Sequence, residues 1–228
     1  GDAHEIGDIL ARDERHRDGH AQTDSSVEGI EFISQPATLD AWRGYFGARI
    51  FDYLTDLQGR GYRADSVECG AHVHVSRLAF ESRRHLATFA AFFVYNPDFT
   101  LAISGRDSLD QWASTKKWSS EQGESLRDAV GGYRRGYRDR YRAVNLTPPN
   151  TVEIRIWAGT DDFARTLGSI EFVAALIEFT RGMSSGDVLA GGLVADSFVS
   201  WLADSVQRDR YRYAVELIES RAGEWWQA

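Results

Sequence analysis

Hydrophobic residues recur along this chain with two periods, one of about two residues and one of about three and a half. Ala71 to Ser76 has the first. Ala71, Val73 and Val75 point one way, and His72, His74 and Ser76 point the other. Thr151 to Trp157 repeats it: Val152, Ile154 and Ile156 face a core, and Thr151, Glu153, Arg155 and Trp157 face away. Gly29 to Ser34 reads as another short strand, stopped by Gln35-Pro36. The longer period begins at Thr38, a capping residue. Leu39, Trp42, Phe46, Ile50, Tyr53, Leu54 and Leu57 predict one amphipathic helix over 39–58, ended by Gly59 and Gly61. Helical spacing returns from Glu81 to Tyr95, breaks at Asn96-Pro97 and continues to Ile103. A long helix is predicted from about Asp161, with Phe163, Leu167, Ile170, Val173, Ala174 and Ile177 on its apolar stripe. Two more are predicted near 187–204 and 206–221. Strands separated by helices predict an α+β fold. Its mainly antiparallel sheet has helices packed on one face, and the C-terminal third is helical.

Two stretches lack either period. Residues 1–26 are polar, and 1–22 are expected to be poorly ordered. Residues 105–140 read as a long loop, whose end carries Arg134, Arg135, Arg138, Arg140 and Arg142. The 228 residues suit a single domain over 1–228. The net charge of −8 argues against a nucleic-acid partner, because phosphate contact needs a basic surface. Among 26 Lys and Arg residues only Lys116 and Lys117 are lysines. Arginine suits planar contacts to carboxylates and phosphates. Cys69 is the only cysteine, which rules out an internal disulfide and a thiolate metal cluster. No apolar run approaches the ~18 residues that would span a bilayer. A cytoplasmic protein without a membrane partner is expected.

The candidate chemistry sits on the polar faces of the predicted strands. His72 and His74 share one face, and neutral imidazole can bind a metal or meet a phosphate. Glu153 and Arg155 share one face of the later strand. An isolated Glu-x-Arg pair is most often a surface ion pair. If both faces belong to one sheet, a carboxylate, two imidazoles and a guanidinium surround one point. That set suits a metal-bound polyphosphate. Glu31 points away from the core side of its strand, and Asp24 stands at that strand's approach.

Taken together, these stretches resemble the amidoligase family of bacteria and phages, within the glutamine synthetase and glutamate–cysteine ligase superfamily. The matching segments read D-S-S-V-E-G-I-E-F-I-S-Q-P, C-G-A-H-V-H-V-S-R-L-A-F, R-Y-R-A-V-N-L and T-V-E-I-R-I-W-A-G-T, in the family's order. They cover roughly residues 22 to 180. The resemblance implies a glutamine synthetase-like sheet and an ATP-dependent carboxylate–amine ligase, with Mg²⁺ or Mn²⁺ as its metal. It implies His72, Glu153, Glu31 and Asp24 at the metal. His74, Arg155, Asn145 and Ser76 would lie at the nucleotide, and Arg155, Glu153 and Arg140 at the reaction centre. The substrates would be a carboxylate and an amine, each a small molecule, a peptide or a protein; a homo-oligomer is compatible with this. The family's opening strand, G-x-E-x-E-F, is not found; the chain starts G-D-A-H-E-I-G-D. Ser25 replaces a usual glycine, and Ala158 stands where arginine is common.

Two other readings stand beside this one. A His-x-His hydrolase holding Zn²⁺ would need further ligands, and the chain has six histidines. A catalytically impaired derivative would keep the fold as a nucleotide- or partner-binding module.

Overall fold

The computed structural model describes residues 19–24, 29–65, 69–110, 113–116 and 141–226. The chain divides into two compact units, Gly1–Cys69 and Gly70–Ala228. It is an α+β protein with small antiparallel sheets. Among the described residues no single helix is long and apolar enough to cross a membrane.

In the first unit, β1 (Gly19–Asp24) pairs antiparallel with β2 (Gly29–Ser34), from Gly19 opposite Ser34 to Asp24 opposite Gly29. Residues 19–22, the end of the stretch expected to be poorly ordered, fall within β1. A polar strand is easily overlooked, because its sequence carries no apolar alternation. The helix predicted over 39–58 is two helices, α1 (Leu39–Arg43) and α2 (Tyr45–Gly59). The Thr38 hydroxyl caps α1, accepting from the Ala41 N–H at 3.2 Å. Gly44 leaves helical geometry at φ −106°, ψ −143°. Glycine is the poorest helix former after proline, so it lowers the cost of that break. The rings of Trp42 and Phe46 meet edge to face across it. Phe32 of β2 lies against Tyr53 of α2, with ring centroids 6.1 Å apart.

The second unit is built on a three-stranded antiparallel sheet. Its strands are β3 (Gly70–Ser76), β4 (Val144–Asn145) and β5 (Thr151–Ala158), with β5 in the middle. A short 3₁₀ turn, Arg77–Ala79, leads to α3 (Arg83–Tyr95) and α4 (Pro97–Ser104). Asn96 ends α3 and precedes the proline that starts α4. After β5 come α5 (Phe163–Arg181), α6 (Ser185–Leu189), α7 (Ala195–Ala203), α8 (Ser205–Arg210), α9 (Arg212–Arg221) and α10 (Gly223–Trp226). The two helices expected over 187–204 and 206–221 are therefore four. Gly191, at φ +86°, and Gly192 separate α6 from α7. Tyr211, at φ −122° and ψ 42°, separates α8 from α9.

α5 packs on β3, on α3 and most extensively on α9. The apolar stripe predicted for α5 is too narrow. Gly168, Phe172, Ala175 and Leu176 are also buried, because neighbours cover the helix on several sides. The core is aromatic: Phe172 meets Phe92, Phe93, Phe99, Phe198 and Trp157. Trp157 belongs to that core and not to the polar face predicted for it. The β3–β5 register shifts between Ala71 and Val73, whose partners are Trp157 and Ile154. The extra residue on β5 is a bulge, and beyond it the side chains exchange faces.

Candidate functional site

The pairing of β3 with β5 brings together residues that lie far apart in the chain. His74 stands opposite Glu153, Ser76 opposite Thr151, and both strands are antiparallel. On the other edge of β5, Asn145 of β4 stands opposite Glu153. Glu153 is the centre of the group and is buried. Its Oε1 accepts from Arg155 and lies 3.1 Å from His72 Nδ1. His74 Nε2 is 3.8 Å from the same oxygen. Its Oε2 accepts from the Asn145 amide.

Burial is the largest influence on the Glu153 carboxyl and pushes its pKa up. The His72 hydrogen bond, the Arg155 charge, the His72 charge and the Asn145 hydrogen bond outweigh it. Together they hold the group at about 2. Glu153 is therefore an ionised, acceptor-only group at neutral pH. Arg155 is largely buried, with its guanidinium over the Tyr141 ring at 5.9 Å. Its backbone N–H bonds to Ala143 O. His72 is partly covered, whereas the His74 side chain is half exposed. His74 Nδ1 lies 3.4 Å from the Thr151 hydroxyl. The Ser76 hydroxyl accepts from Leu78 N–H at 3.2 Å, which leaves its own proton to donate elsewhere.

Two arginines that the sequence reading did not single out build the frame. Arg106 donates to the carbonyls of Ile156 (3.1 Å) and Trp157 (2.8 Å), at the bulged end of β5. Arg77 donates to Leu146 O and Pro148 O, and so holds the β4–β5 connection against the end of β3. Burial pulls the Arg77 pKa down from its ordinary value. Both arginines satisfy backbone carbonyls, and no periodicity marks that role. Gly70 permits the Arg106 approach: a Cβ there would collide with the guanidinium and stand 3.5 Å from His72 Nε2.

The structure thus gathers His72, His74, Asn145, Glu153 and Arg155, with Ser76 farther along β3. Glu31 and Asp24 belong to the other unit. Glu31 accepts from Gln22 Nε2 at 2.9 Å, and Asp24 ends β1 opposite Gly29. Arg140, Arg134, Arg135 and Arg138 lie outside the described residues. Among the described residues no three His, Cys, Asp or Glu side chains are grouped so as to hold a metal ion. Glu153 alone still offers a hard anionic oxygen. A carboxylate has about four lone-pair sites, and the described donors take three of them. One carboxylate, completed by waters and phosphate oxygens, suits Mg²⁺.

Compared with models of known families, with curated proteins and with solved structures, the chain matches none.

Proposed function

We propose that the chain is an ATP-dependent carboxylate–amine ligase on a glutamine synthetase-like sheet. The observation that carries this reading is the β3–β5 register, which puts His72, His74 and Arg155 around the ionised Glu153. In the proposed reaction a substrate carboxylate oxygen takes the γ-phosphoryl group of ATP and ADP leaves. An amine nitrogen then bonds to the acyl carbon, the carbon–oxygen bond to phosphate breaks, and the nitrogen loses a proton. Positioning and charge placement do most of the work in phosphoryl transfer.

Each side chain has a part that its surroundings suit. Arg155 is held between Glu153 and the Tyr141 ring, which fixes the plane of a guanidinium, the group best shaped for phosphoryl or carboxylate oxygens. His74, half exposed, can donate to a phosphate oxygen. Glu153 and His72 are the groups that would hold Mg²⁺, whose role is to neutralise triphosphate charge. Phosphate should be released from ATP only when Mg²⁺ and an acid substrate are both present. Glu153→Gln and His72→Ala should each abolish release in a folded protein; full release by either variant would remove this reading.

One observation favours a second reading. Both Glu153 oxygens are already bonded to protein donors, Arg155 and His72 on one and Asn145 on the other. A carboxylate so engaged suits a nucleotide- or partner-binding derivative of the fold. Calorimetry that detected ATP binding, with no phosphate release across a panel of acids and amines, would select it.

A further inference from the structure

Asn145 is buried, and both ends of its amide are engaged. Its Oδ1 accepts from the Thr147 backbone N–H at 2.9 Å and from the Thr147 hydroxyl at 2.7 Å. A backbone N–H can only donate, so the atom facing Thr147 must be the oxygen. The Asn145 NH₂ is thereby turned toward Glu153 Oε2. Glu153 then directs Oε1 at His72 Nδ1, 3.1 Å away. An ionised carboxylate only accepts, so this contact needs the proton on Nδ1. The neutral ring would then carry its lone pair on Nε2, the nitrogen on the Gly70 side.

We propose that Asn145, steered by Thr147, is a positioning residue that orients Glu153 so that His72 keeps its proton on Nδ1 and presents Nε2. Neither residue needs to touch a ligand. A part in the reaction rests on the ligase reading, whereas the proton position can be read without it. Partners of this kind commonly fix the tautomer of a functional histidine.

The full chain, labelled with ¹⁵N in its histidine rings, gives the test. Ring proton–nitrogen correlations are recorded at rising pH until every ring signal stops moving. The His72 signal is identified by its loss in His72→Gln. The wild type should show neutral His72 protonated on Nδ1. Asn145→Leu should move the proton to Nε2. Thr147→Val should move a measurable fraction of it, and Thr147→Ser should restore the wild-type pattern. Protonation of wild-type His72 on Nε2 would overturn the proposal. So would an unchanged tautomer in folded Asn145→Leu. Should that variant fail to fold, the wild-type spectrum and the Val and Ser pair at 147 decide. Phosphate release plays no part in this readout, so failure of the ligase reading would show separately.

Discussion

Glu153 is only 6% exposed, yet it stays charged because its neighbours repay its lost hydration with directed donors and a guanidinium. That balance makes a pH prediction with a definite sign. The folded pKa of about 2 lies below the ordinary 4.5. The group's contribution is therefore fully present above pH 4.5 and is lost as pH falls through 2. The shift corresponds to roughly 3 kcal/mol at ~1.4 kcal/mol per unit. Urea unfolding at steps between pH 5.5 and 2, run on wild type and Glu153→Gln, should show the extra acid sensitivity in the wild type alone. Equal slopes would mean that the carboxylate is not held as described. At neutral pH the same substitution should itself cost about 3–5 kcal/mol, since it removes the carboxylate charge beside the largely buried Arg155. Gly70 is a smaller test of the same frame. Gly70→Ala should displace Arg106 from the Ile156 and Trp157 carbonyls, and a thermal melt should register a lower midpoint.

Between elements, the contacts that matter are single side chains serving a neighbour's backbone. His85, near the start of α3, accepts from Glu81 N–H on Nδ1 and can donate from Nε2 to Ile177 O of α5. Burial lowers its pKa below 6.5; the Ile177 bond and Glu81 act against this, and Arg181 with it. The unfolded ring takes its proton first on acidification. Stability from the neutral ring is therefore present above pH 6.5 and declines as pH drops toward the folded value. Denaturation midpoints measured from pH 7.5 to 5 should fall more steeply for wild type than for His85→Phe. The α5–α9 contact depends on Gly168, where a Cβ would come within 2.7 Å of Tyr213 O and 3.1 Å of Leu217 Cβ. Gly168→Ala should cost about 1–3 kcal/mol by overpacking, measured by calorimetric melting. The fully buried Glu171 of α5 accepts from the N–H groups of Tyr213 and Ala214, which are early donors of α9. It satisfies the start of α9 from a different helix, where local sequence places no cap.

At the scale of the molecule, the larger unit is held by one aromatic cluster, and Phe172 is its hub. Phe172→Ala should destabilise the protein by about 3–5 kcal/mol, and a small loss in a urea titration would refute that role. Trp225 joins the same cluster through Phe99, at 5.5 Å between ring centroids. β3 and β5 were readable in the sequence because a strand half covered by a core must alternate. Asn96-Pro97 likewise announced the break between α3 and α4. Glu153, Arg155, His72 and His74, which the structure brings together, all sit on the polar halves of those alternations. Three features were not readable. A bulge turned Trp157 into the core, Gly44 divided a helix of continuous apolar spacing, and Arg106 and Arg77 went to backbone carbonyls. Local pattern fixes which residues share a face, because that depends only on the periods of strand and helix. It does not fix which faces meet. The approach of His72 and His74 to Glu153, and of Asn145 from the opposite edge, is set by backbone hydrogen bonds between distant strands, and only the tertiary structure decided it.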